Sequence, residues 1–311
     1  IEEILKHEPQ SLRVLSRDEV KHHKIQEMFE NHPRLRNFVG DVRDYERVER
    51  ATAGADIVIH AAALKRLDMI EYNVGESIKT NILGTLNVAQ ACTANNVEKA
   101  IFVSTDKACS PVNTYGACKF LAERIFADSN KSRGSARTVF SIVRYGNVLE
   151  STGSVIPFFE SKIKEGKEIP LTDERMTRFI ISHQQAVELI FNALRYGRGG
   201  EVFVPKLPSF RIKDLIDILR EKHNADNKVK IVGIRPGEKI HELMVNEAET
   251  ARTYDFNDMY VIASEINKIK DAEYIKSGKR ISEENMKTYS SEDSLVDKDK
   301  IMSIFRGLGL I

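Results

Sequence analysis

The feature that most limits the fold is a recurring unit: a short apolar run, a polar or small-residue tip, then a stretch with helical character. The runs occupy residues 12–15, 35–39, 56–60, 100–103 and 138–143. The run at 100–103 suits a strand covered on both faces, which a parallel sheet demands, 138–143 reads as another buried strand, and the others read as strands of the same sheet. Their alternation predicts an α/β fold with a doubly wound, Rossmann-like parallel sheet. No internal repeat or low-complexity segment interrupts the pattern. Residues 1–152 are expected to form a dinucleotide-binding domain. Residues 153–311, with shorter elements and more Pro and Gly, are expected to form mainly a smaller substrate-binding lobe interwoven with it, ending in an exposed, charged tail after about Glu265.

At 311 residues the chain can bury a sizeable core. A formal net charge of +1 argues against general affinity for nucleic acid or an anionic membrane. Three cysteines, Cys92, Cys109 and Cys118, are odd in number and lack metal-ligand spacing. They read as packing residues and free thiols of a reducing compartment, so no metal is expected and a cytoplasmic location is. Neither a membrane-spanning run nor a signal peptide is visible.

The chemistry concentrates between Lys99 and Lys119. The apolar run there ends in Ser104-Thr105-Asp106-Lys107, and a turn through Pro111 and Asn113 leads to Tyr115, with Lys119 four residues on. Four apart on a helix is one face. A tyrosine acting as base near neutrality needs a nearby cation, because a phenol otherwise titrates near pH 10. Among nine tyrosines only Tyr115 has a lysine at this offset, and it alone follows such a tip.

Other tips fit a dinucleotide. A doubly wound fold normally starts one strand before residue 12, with a glycine-bearing turn against the pyrophosphate. No G-x-G-x-x-G occurs, and further residues are expected ahead of Ile1. Ser16, Arg17 and Lys21 suit a ribose 2′-phosphate, so NADP is favoured over NAD. The competing reading is a helix start capped by Ser16 or Asp18, with Arg17 merely solvated. Asp41 is placed to meet the adenine amino group, beside Val42. The run of small residues from Ala61 permits close approach of a dinucleotide, and Lys65 faces either cofactor or substrate phosphates. A long helix is expected over 76–95, with Asn81 reaching toward the active site. Arg175, Arg178 and Arg235 read as convergent cations for a diphosphate.

In order along the chain, SRDE, GDVRD, HAAALK, KTN, STDKA, P-x-N-x-YGACK, RYGNV, GSVIPFF, TDERMTRF and IRPGEKIHE are similar to the motifs of the extended short-chain dehydrogenase/reductase family. Within it they resemble the soluble UDP-N-acetylglucosamine 4,6-dehydratases that invert C5. The Asp106-Lys107 pair discriminates best, since retaining relatives carry Thr-Asp-Glu there and 4-epimerases lack the acid–base pair.

The resemblance implies a UDP-4-keto-6-deoxy-L-arabino sugar product for surface glycans, made through transient oxidation at C4. It implies that Tyr115 takes the C4 hydroxyl proton while NADP takes hydride, and that Lys119 orients ribose and lowers the tyrosine pKa. Lys107 would remove the C5 proton and Asp106 would protonate the departing C6 oxygen. Ser16, Arg17, Asp18 and Lys21 would hold the adenosine phosphate end, and Asp41 with Val42 the adenine. Ala61, Val103, Ser104 and Val148 would line the nicotinamide side. Lys65, Asn147, Arg178, Arg235 and Glu238 would hold the UDP-sugar, UDP-GlcNAc or a close relative. A homo-oligomer is expected. The chain departs from the family at Thr152, where an arginine is usual. The rival readings are a UDP-sugar 4-epimerase and a catalytically silent nucleotide-sugar-binding subunit.

Overall fold

The structure is a computed structural model that describes residues 1–149, 155–267, 269–282 and 284–310. Five strands follow the predicted order: β1 (Leu12–Ser16), β2 (Leu35–Val39), β3 (Ile57–His60), β4 (Lys99–Val103) and β5 (Val139–Val143). The second half adds β6 (Ile169–Leu171), β7 (Thr177–Phe179), β8 (Val202–Pro205), β9 (Ser209–Arg211) and β10 (Val229–Ile231). Last come β11 (Leu243–Val245), β12 (Thr253–Phe256), β13 (Met259–Ile262), β14 (Lys279–Arg280) and β15 (Tyr289–Ser290).

The principal sheet has seven strands in the order β14-β12-β13-β8-β5-β4-β3. Strands β3, β4, β5 and β8 run parallel, while β13, β12 and β14 extend the sheet antiparallel from β8. The register sets Lys99 opposite Val139 and Val103 opposite Val143, so the polar tips after β4 and β5 emerge side by side. Strands β1 and β2 form a separate parallel pair.

Apolar side chains fill both faces of the principal sheet. Phe102, Phe126 and Phe140 pack on one side, the first pair tilted and the second edge-to-face, with ring centroids 5.3 and 5.4 Å apart. Ile101, Val143, Phe203, Leu189 and Tyr274 fill the other. A second core lies under the later elements, where Phe159, Ile169, Leu215, Leu219, Ile301 and Phe305 meet.

Two expectations about elements are corrected. The region after Glu265 is no exposed tail: Tyr274, Tyr289, Ser291, Ile301 and Phe305 are buried, and helix Lys298–Gly307 docks into the second core through Ile301 and Phe305. Those two lie four apart, so they share the one face the charged residues leave apolar. The helix expected over 76–95 starts at Val74 and is interrupted by a π segment, Ile78–Leu83, before continuing as Gly84–Ala94. Among the described residues no helix is long and apolar enough to cross a membrane.

Candidate active site

The strand tip after β4 is built by its own sequence. Thr105 accepts from the Lys107 N–H and caps a single 3₁₀ turn, Asp106–Ala108. Helix Thr114–Ser132 starts after Asn113, whose side chain accepts from the Gly116 N–H at 2.7 Å. Glu71 adds a second cap, taking both the N–H and the hydroxyl of Thr114 at 2.8 Å. The helix then lies directly on the turn: a Cβ added at Gly116 would stand 2.3 Å from the Lys107 carbonyl oxygen. Glycine there lets Tyr115 approach Asp106 and Lys107.

Asp106 is 1% exposed. The Lys107 ammonium donates to Asp106 Oδ1 at 3.1 Å and to Asn147 Oδ1 at 3.2 Å. Its third neighbour is Glu242 Oε1 at 3.5 Å. Burial raises the Asp106 pKa, and the charge of Glu242 adds to the effect against the opposing pull of Lys107. Burial would strip Lys107 of its proton, but Asp106 and Glu242 together outweigh it and raise its pKa. Glu242 is lowered despite its own burial, because Lys107, Arg178 and Lys239 favour its charge. The three groups are one electrostatic unit.

Tyr115 stands beside this unit, and burial pushes its phenol up to about 12. Lys107, not Lys119, is the cation that opposes the rise. The Lys119 ammonium donates to the Val103 carbonyl at 2.6 Å and lies 4.2 Å above the Phe102 ring. Burial brings Lys119 down to about 7, with Glu123 one turn away acting against the fall.

Behind the tip, Arg144 at the end of β5 is fully enclosed. It bonds Glu123 at 3.0 and 2.6 Å, Glu249 at 2.8 and 2.9 Å, and the Met244 carbonyl at 2.8 Å. Ser104, expected on the nicotinamide side, donates its hydroxyl to Glu123 at 2.6 Å. Sequence reading missed both Arg144, which sits in the RYGNV motif, and Glu242, the last residue of IRPGEKIHE. Their positions in quoted motifs were the only signal.

The remaining expected residues fall into groups. Ser16, Arg17, Asp18 and Lys21 follow β1, and Asp41 and Val42 follow β2. Arg17 reaches Asp41 at 3.3 Å, and Arg43 reaches the same carboxylate at 2.7 Å. Asp18 caps helix Glu19–Met28, accepting from the Lys21 N–H at 3.0 Å, so the capping alternative holds for Asp18. Ala61 and Lys65 are exposed in the loop after β3. Asn81 does not reach across the site; it closes that loop by bonding the Leu64 N–H at 2.7 Å and carbonyl at 2.9 Å. A short side chain on a buried π turn is long enough for the loop beside it and no farther.

On the substrate side, Asn147 joins Lys107 and Val148 bridges to Ile181. Arg178 approaches Glu242 at 3.6 Å while donating to the Ile240 and Lys239 carbonyls at 3.1 Å. Arg235 is exposed, its N–H donating to Glu238 Oε2 at 3.3 Å. That loop docks on the tip, since Asn113 donates to the Gly237 carbonyl at 2.7 Å and Lys239 to the Cys109 carbonyl at 2.6 Å. Arg175 does not converge with them; it turns to Asp173 at 2.8 Å, largely in solvent. Thr152 lies outside the described residues.

A parallel sheet with Tyr-x-x-x-Lys on the helix after β4 defines a Rossmann-like protein of the short-chain dehydrogenase/reductase class. More narrowly, the chain belongs to the polysaccharide biosynthesis protein family, whose model matches residues 1–264. It is 42% identical over 304 residues to the UDP-N-acetylglucosamine 4,6-dehydratase (inverting) of Campylobacter jejuni, covering 94% of this chain and 90% of that one. It is 39% identical over 269 residues to a UDP-glucose 4-epimerase of Rickettsia rickettsii, covering 86% and 79%. Pen from Bacillus thuringiensis, a solved structure, matches with a TM-score of 0.91 and 36% identity, covering 100% of this chain and 93% of that one.

Proposed function

We propose that the chain is an inverting UDP-N-acetylglucosamine 4,6-dehydratase working with a bound nicotinamide dinucleotide, NADP in preference to NAD. The observation that carries the reading is the Asp106–Lys107 contact of 3.1 Å, its carboxyl buried, beside Tyr115. A 4-epimerase has no elimination to perform and no use for that pair.

The tips after β1 and β3 offer cations and small side chains, Arg17, Lys21, Ser16, Ala61 and Ala62, a set that fits a phosphorylated dinucleotide. Such a cofactor supplies reversible hydride acceptance from C4 and its return at C6. Tyr115 takes the proton of the C4 hydroxyl. The resulting ketone acidifies C5, and Lys107, as the amine, takes that proton. Asp106, buried and biased toward its protonated form, gives its proton to the C6 oxygen, which leaves as water. Asn147 and Arg178 border the same centre and are assigned to the sugar and its diphosphate, with Lys65, Arg235 and Glu238 farther out.

Self-association is part of the proposal, supported by exposed Ile78, Leu83, Leu86, Phe120 and Leu121 on adjoining helices. A cytoplasmic site is supported by Cys92, Cys109 and Cys118, all buried and unbridged.

The test is incubation with UDP-GlcNAc in D₂O without added reductant. The expected product is a 4-keto-6-deoxy sugar labelled at C5, read by NMR and mass spectrometry. A product epimerised at C4 that retains its C6 oxygen would favour the epimerase reading and overturn this one.

A further inference from the structure

The dehydratase reading, on which this inference rests, leaves a proton unassigned. Lys107 is an ammonium between the Asp106 side chain and the Glu242 carboxylate, and an ammonium cannot accept a proton from carbon. Asp106 is no outlet for the surplus proton, because as acid toward the C6 oxygen it must already carry one. Among the described residues, the remaining proton acceptor in contact with the ammonium is Glu242.

We propose that Glu242 is a positioning residue that acts through Lys107: an N–H bond of the ammonium breaks, an O–H bond forms on the Glu242 carboxylate, and the amine left behind takes the C5 proton.

Four observations support this. Glu242 Oε1 lies 3.5 Å from the Lys107 nitrogen. The residue is 2% exposed, and among the described residues its Oε2 is buried without a hydrogen-bond partner, leaving a lone pair available for a proton. The backbone is fixed on both sides: the Glu242 N–H donates to Ser291 Oγ at 2.9 Å, and its carbonyl accepts from the Ser291 N–H at 2.8 Å. Asn147 has no acidic proton and accepts none, so it orients Lys107 without competing.

Charge balance gives the arrangement its physical sense. With Asp106 neutral, Lys107 cationic and Glu242 anionic, the three groups sum to zero. After the transfer all three are neutral, and the sum is still zero. The active form is reached without placing net charge in a buried site, a step that costs several kcal/mol per uncompensated ion. Arg178 at 3.6 Å and the nearby Lys239 steady the anionic form of Glu242 in the resting state. Without Glu242, Asp106 and Lys107 would settle as a plain ion pair, leaving acid and base both in the wrong protonation state.

The experiment compares wild type, Glu242→Gln and Glu242→Asp with UDP-GlcNAc in D₂O, following reduced cofactor by absorbance in single turnovers and C5 deuterium by NMR. In Glu242→Gln, reduced cofactor is expected to form within about threefold of the wild-type rate. C5 exchange is expected to fall about a hundredfold or more, the scale of a lost acid–base function. Glu242→Asp restores exchange to within about tenfold, and KM stays near wild type. Exchange at the wild-type rate in Glu242→Gln overturns the inference, as does a parallel loss of both signals that Glu242→Asp does not relieve. Melting temperatures separate misfolding from chemistry, and the Asp variant keeps the test decisive should the Gln variant not fold. A wild type that forms no C5-labelled product removes the dehydratase reading itself, whereas labelled product from wild type and Glu242→Gln alike removes only this inference.

Discussion

At the scale of single residues, the site is governed by what burial does to each charge. Lys107 and Lys119 are both enclosed lysines with opposite fates. Lys107 lies between the side chains of Asp106 and Glu242 and keeps its proton, while Lys119 has a carbonyl and an aromatic face and is lowered to about 7. In the ligand-free chain, ¹³Cε-labelled lysine NMR should therefore show one lysine titrating near neutrality, charged below about 7 and neutral above it, and the signal should vanish in Lys119→Met. The stability linkage follows the same sign. Between about 7 and the ordinary 10.5 the unfolded chain binds a proton that the folded one lacks, so this group makes stability rise with pH across that window. Lys107→Ala should abolish the 4-keto-6-deoxy product while leaving cofactor binding within about threefold, measured by fluorescence titration; turnover that persists would remove Lys107 as the C5 base.

At the scale of elements, the turn and the helix after β4 work as one part. The contact that fixes them is backbone against backbone, because a methyl group at Gly116 would meet the Lys107 carbonyl at 2.3 Å. Overpacking of this kind costs about 1–3 kcal/mol. Gly116→Ala should lower the urea midpoint accordingly and reduce turnover more than stability alone explains; a variant with full activity would show that the turn yields without moving Lys107. Strands β4 and β5 were legible in the sequence because a strand buried on both faces is written as an apolar run, and β1 to β3 because each ends at a polar or small-residue tip before a helix. The π segment over Ile78–Leu83 was not, since π and α turns use the same residue types and differ only in which carbonyl each N–H reaches. The late helix was misread because its alternating lysines and aspartates hid the Ile301 and Phe305 pair.

At the scale of the molecule, the halves of the chain are joined through the site. The adjacent Asp106 and Lys107 were readable because neighbours in sequence are neighbours in space. Glu242 and Glu249 were not, because only the folded chain brings them to residues 107 and 144. Arg144 bridges Glu123 and Glu249, carboxylates from opposite halves, with both ion pairs buried. Removing one partner from a buried pair costs about 3–5 kcal/mol, because the others stay charged and unpaired. Arg144→Met should lose that much stability in chemical denaturation, and adding Glu123→Gln with Glu249→Gln should recover part of it. A loss under 1 kcal/mol would mean the network is solvated.

That bridge also sets an order on biosynthesis. A polypeptide still on the ribosome, not yet elongated as far as Glu242, lacks that member of the strand-tip cluster, and its enclosed guanidinium also lacks one counter-ion, Glu249. Completion of the buried cluster therefore waits for late translation, and a chain stopped short of Glu249 leaves the Arg144 charge only partly balanced even where its early sheet has formed.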